Sequence, residues 1–245
     1  SNLSDAPNRE VAACVSAEDL KAIHVDNFDI GYAALSSAVS QTRDPDLVPS
    51  EHSQKINTLV ESSYQVYQTL RSRFRKNRPD MVYVFNGRFA AMRAVLRACQ
   101  AEGVDCRIHE RGCTFRHYQI WENYLPHDID YQQGRMQLHW ENAESLGDRE
   151  TKAAEWFKGR VQRVETNWVS FVKGQEEGCL PEGWDSQRKN IVIFTTSEDE
   201  FVAIDDCWDG HLYPNQSEAI LSIANEFLNK DPNVMITVRM HPNVA

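Results

Sequence analysis

The chain predicts an α/β fold built on parallel strands, and three observations point to it. Two apolar runs, Met81-Val82-Tyr83-Val84-Phe85 and Ile191-Val192-Ile193-Phe194, have the length and side chains of buried strands. Each empties into polar groups: Asn86-Gly87-Arg88 after the first, Thr195-Thr196-Ser197-Glu198-Asp199-Glu200 after the second. Each is followed by a helical pattern and another apolar run, the β-α-β order that sets strands parallel. Ligand sites in such sheets lie at the carboxyl ends of the strands. The two units therefore read as two sheets facing one cleft.

The elements follow in order. Residues 1–20 are polar and read as irregular, or as the tail of a missing unit. Ala22 to Val25 reads as a short strand, and Gly31 to Val39 as the start of a helix packed through small residues. Two prolines and several aspartates make Thr42 to Ser50 a loop. Ser50 reads as the N-cap of a long helix to about Asn77, with Ile56, Leu59, Val60, Tyr64, Tyr67 and Leu70 at helical spacing. Pro79 ends it. After strand Met81–Phe85 comes a helix over Phe89–Glu102 with Gly103 as its stop signal. Cys106-Arg107-Ile108-His109 is the next strand, ending in His109-Glu110-Arg111-Gly112.

Residues 113–150 read as an irregular, aromatic and histidine-rich stretch. A helix is expected from Thr151 to about Val172, with Trp156, Phe157, Val161, Val164 and Trp168 on one side. Gly174 to Lys189 reads as a linker. Then come strand 191–196, helix 216–229 and strand 234–240. Residues 1–187 thus form a first domain with its linker, and 188–245 the start of a second. Both ends read as cut.

Composition narrows the function classes. The formal net charge of -10 argues against a general nucleic-acid binder, which leans on basic surface. The one basic run, Arg71, Arg73, Arg75, Lys76 and Arg78, suits the last turn of a helix. No run of apolar residues is long enough to span a bilayer, and no signal peptide is visible. Six scattered cysteines without C-x-x-C spacing fit reduced thiols. Cys106, Cys113 and His109 match no usual zinc pattern, so no metal is expected.

Five groups bear on chemistry. Gly87 lets a ligand approach the backbone, and the planar fork of Arg88 suits a phosphate or carboxylate beside the following helix N-terminus. The alternative is a tight turn with a surface arginine. At His109-Glu110-Arg111, Glu110 fits a general base toward a sugar hydroxyl or orients His109, and Arg111 fits an anion clamp. The alternative is a Glu–Arg pair holding a loop. His117, Tyr118, Trp121, Tyr124 and His127 read as a satellite core before a stacking platform. Ser197 and Glu198 offer a hydroxyl and a carboxylate beside an acidic helix start. Arg239 and His241-Pro242 put a cation and an imidazole at a strand end, where a phosphate leaving group would be stabilised.

Taken together, VYVFNGRFAAMRAVLRACQAEGV, the following HERG, the tryptophan-bearing helix, NIVIFTTSEDEFVAI and RMHPN resemble bacterial capsular and surface polysaccharide glycosyltransferases of the GT-B type. The resemblance implies two Rossmann-like domains, the second incomplete. It implies a nucleotide-sugar donor, a glycan or lipid-linked acceptor, and no cofactor or obligatory metal. It implies a cytoplasmic location, peripheral to the inner membrane or to polysaccharide assembly proteins. Glu110 and His109 would be catalytic. Asn86, Arg88, Arg111, Ser197, Glu198, Arg239 and His241 would bind substrate. Two other readings stay open: a non-catalytic carbohydrate- or nucleotide-binding or assembly module, and a polyol-phosphate transferase.

Overall fold

The computed structural model describes residues 11, 14–112, 114, 116–143, 145–162, 164, 176, 178–208 and 212–242. Helix α1 (Ala17–Lys21) exists because of its cap. Asp19 N–H donates to Ser16 Oγ, and Ser16 N–H donates back to the Asp19 carboxylate. That S-x-x-D start was legible within the stretch read as irregular. The strand expected at Ala22–Val25 is instead a tight turn closed by an isolated Val25–Phe28 bridge. Asp26, at φ 54°, reverses the chain before a partner can pair.

Helix α2 (Ile30–Thr42) is the centre of the molecule, with Ile30 to Val39 all buried. Its small residues allow close crossing. A Cβ at Gly31 would stand 1.7 Å from the Leu20 carbonyl oxygen. A 3-10 turn, Pro49–His52, precedes α3 (Ser53–Lys76), so Ser50 lies inside that turn rather than capping the helix. The basic run closes the end of α3 onto α4 (Ala90–Glu102). Arg71 and Arg75 both donate to the Glu102 carboxylate, and Arg78 donates to the Glu102 carbonyl. Hydrogen bonds from Arg75 and Arg71 draw the Glu102 carboxyl down to about 2.

Strands β1 (Met81–Phe85) and β2 (Asp105–Arg111) are parallel, with Met81 opposite Asp105 and Phe85 opposite His109. Helix α4 joins them and stops at Gly103, φ 65°. Strand β3 (Tyr118–Glu122) returns antiparallel beside β2. The first sheet is therefore mixed, not parallel throughout. His109, Glu110 and Arg111 lie within β2 rather than in a loop, because pairing with β3 extends that strand to Arg111.

Helix α4 packs on β1 and β2 with α2 and α3 behind it, so the sheet is covered on one face and β1 is not the fully buried strand its composition suggests. Met81, Tyr83 and Phe85 are exposed, Tyr83 by 63%. Cys106, Ile108 and Trp121 face the core instead. Helices α5 (Ile129–Glu141) and α6 (Leu146–Val161) follow, in a stretch expected to be irregular up to residue 150. Ser145 caps α6, accepting from Asp148 N–H, so it starts before Thr151. Trp168 and Cys113 lie outside the described residues.

Strand β4 (Asn190–Phe194), helix α7 (Gln216–Lys230) and strand β5 (Met235–Arg239) form a second β-α-β unit with a parallel strand pair. Phe194 is 71% exposed, so β4 too is covered less than its apolar run predicts. The described residues thus form an α/β structure with a three-stranded mixed sheet, a separate two-stranded sheet and seven α-helices. None of those helices is long and apolar enough to cross a membrane. The segment after β4 packs on the first unit, where Val202 and Ala203 join its core.

Candidate functional site

The turn after β1 is built from two left-handed residues, Asn86 at φ 61° and Gly87 at φ 83°. Asparagine tolerates that region and glycine is at home there. A Cβ at Gly87 would also press on Leu125 at 3.1 Å. The turn is locked to β2. Asn86 N–H donates to the His109 carbonyl at 3.0 Å, and Asn86 Nδ2 donates to Glu110 Oε1 at 2.7 Å. Asn86 Oδ1 accepts the Arg88 N–H at 3.1 Å. One buried amide thus sets both Glu110 and Arg88.

Arg88 then reaches across to the second unit. Its guanidinium donates to the Glu200 carbonyl at 2.7 Å, and its Nε is buried without a hydrogen-bond partner. Burial lowers the Arg88 pKa, and the charges of Glu200, Asp199 and Glu110 oppose that shift. Two more arginines hold the same strap. Arg43 pairs with Asp199 at 2.6 Å, and Ser197 Oγ donates to the other Asp199 oxygen. Burial disfavours the Asp199 charge, but the Ser197 and Arg43 hydrogen bonds outweigh it and hold the carboxyl below its usual range. Arg93, only 1% exposed, donates to the Ile204 carbonyl at 2.9 Å and pairs with Asp29.

His127 sits beside this cluster. Burial, followed by the charges of Arg88 and Arg93, pushes its pKa down to about 4. It is therefore neutral near pH 7. Its Nδ1 is buried with no hydrogen-bond partner, and its carbonyl accepts Trp208 Nε1–H at 2.7 Å.

The structure brings Asn86, Arg88, Glu110 and the Ser197–Glu200 strap together. It does not bring His109 to Glu110. Successive β2 side chains point to opposite faces, and His109 lies against the Phe85 ring, 5.6 Å between centroids, on the open face. Arg111 follows on that same face. Arg239 lines a different cleft, with Trp184 and Phe194. His241 approaches the strap's start, its N–H donating to Thr195 Oγ1 at 2.7 Å. The helix N-terminus after Arg88 is also engaged, since Ala90 N–H donates to Ser37 Oγ at 2.8 Å. Among the described residues no group of three or more His, Cys, Asp or Glu could hold a metal ion.

Glu198 faces the other side of the strap, on a cavity of about 920 Å3 that Phe201, Trp208 and Tyr213 also line. Sequence reasoning missed this aromatic lining, Arg43, Arg93 and the buried role of His127. Arg93 alone carried a signal: it falls three residues after Ala90, on the apolar stripe of α4. Comparison with family models, with curated proteins and with solved structures returned no match to this chain.

Proposed function

We propose that this chain is part of a glycosyltransferase of the GT-B type, with Rossmann-like units, that moves a sugar from a nucleotide-activated donor to a surface polysaccharide. One observation carries the reading. The carboxyl ends of β1 and β2 and the loop after β4 meet at Arg88, through Asn86–Glu110 and Arg88–Glu200. A cation with a carboxylate beside it, at the carboxyl ends of parallel strands, suits transfer from a phosphate-bearing donor. Glu110 acts as base toward the acceptor hydroxyl, and Arg88 stabilises the departing nucleotide phosphate. Asn86 fixes the Glu110 carboxylate.

The test is release of nucleotide from a panel of nucleotide sugars, with a glycan acceptor supplied. Glu110→Gln should lower turnover by about a hundredfold while leaving donor affinity nearly unchanged. Unchanged turnover removes Glu110 from the mechanism. A second reading, a non-catalytic binding module, is favoured by the scaffold hydrogen bonds that already engage Arg88, Glu110 and the Ala90 N–H. Saturable donor binding without any nucleotide release decides for it.

A further inference from the structure

We propose that the cavity lined by Phe201, Trp208 and Tyr213 is a glycan-binding site that accepts uncharged or amine-bearing sugar rings and rejects phosphorylated or acidic ones. Its volume, about 920 Å3, falls in the range of sites that bury compact ligands. The Phe201 and Trp208 rings lie 5.1 Å apart at 31°, and Tyr213 remains 37% exposed. A pyranose presents an apolar face of C–H groups that stacks on such rings. Its rim of hydroxyls donates to carboxylates.

Carboxylates are what the rim supplies: Glu18, Asp46 and Glu198 all line the cavity. The lining cation, Lys21, is paired with Glu18 at 2.9 Å. An acidic rim repels phosphate and favours an amine. The start of α7, which would otherwise draw an anion, is also answered. Gln216 N–H donates to Glu198 Oε1 at 2.7 Å, and Glu218 N–H donates to Asn215 Oδ1 at 2.9 Å. A carboxylate of the chain itself therefore stands in the position a phosphate would take.

The cavity and the Arg88 cluster share one strap. Glu198 and Phe201 face the cavity, while Asp199 and the Glu200 carbonyl between them contact Arg43 and Arg88. The cavity thus lies beside the Arg88 site and holds the acceptor of the proposed transfer. That assignment rests on the transferase reading; the binding of glycan does not.

The experiment is calorimetric titration of the 245-residue chain at low ionic strength with three tetrasaccharides of equal length. They are cellotetraose, the glucosamine tetramer and tetragalacturonate. The first two should bind saturably, and tetragalacturonate at least about tenfold more weakly. Tyr213→Ala should weaken cellotetraose by about tenfold and Tyr213→Phe should restore it, with circular dichroism confirming the fold of each. Glu198→Gln, whose amide oxygen can still accept from Gln216, should weaken the preference for the amine. Failure of both favoured tetramers to bind, equal binding of tetragalacturonate, or no effect of Tyr213→Ala overturns the proposal. Nucleotide release measured in parallel keeps the two ideas apart. Release without glycan binding removes only the cavity, and glycan binding without release removes only the transferase.

Discussion

Asn86 is the residue on which the site turns. In the left-handed conformation it gives one hydrogen bond to Glu110 and accepts one from Arg88, tying both to the turn. His127 is the second residue with consequences. Its folded pKa, about 4, lies below the 6.5 of an unperturbed imidazole. Below about pH 6.5 the unfolded chain therefore takes up a proton that the folded chain refuses. Stability should be full above that pH and fall as pH drops toward about 4, by on the order of 3 kcal/mol. Urea unfolding of wild type and His127→Gln across that window checks this, and the variant should show the flatter profile.

At the scale of elements, β1, α4, α7 and β5 were legible because each is an apolar run or a helical period bounded by turn residues, as Pro79 before β1 and Gly103 after α4 show. Strand β3 and helix α5 were not. The first is five residues long with one buried side chain, and the second has no buried residue at all, so neither prints a period. The length of an apolar run also misled, since β1 and β4 are apolar on both faces but covered on one or neither. The α3–α4 clamp is a measurable element-scale device. Glu102 has its folded pKa drawn from 4.5 to about 2, so its contribution is present above about pH 4.5 and lost as pH falls toward about 2. Glu102→Gln should lower the thermal midpoint at neutral pH and make the acid limb of the midpoint-against-pH curve shallower.

The whole molecule is held by arginines of the first unit on the strap after β4: Arg43 on Asp199, Arg88 on Glu200, Arg93 on Ile204. Of the candidate site, the sequence made Asn86, Arg88, Glu110 and Ser197 legible, because they end apolar runs. It could not show that β2 runs on past His109 to Arg111, nor that buried cations bridge the units. Arg93→Met should destabilise the fold by about 3–5 kcal/mol in chemical denaturation, because it leaves the Ile204 carbonyl and part of the Asp29 charge buried without a partner.

The central claim is that Arg88 marks a shared anion site where the two units meet. Thermal midpoints of the chain with uridine, guanosine, cytidine and thymidine diphosphate or monophosphate sugars test it most directly, since a ligand that binds only the folded state raises the midpoint. At least one nucleotide sugar should raise it saturably, and Arg88→Ala should abolish the rise. Midpoints that none of these ligands move, or a rise that survives in Arg88→Ala, would contradict it.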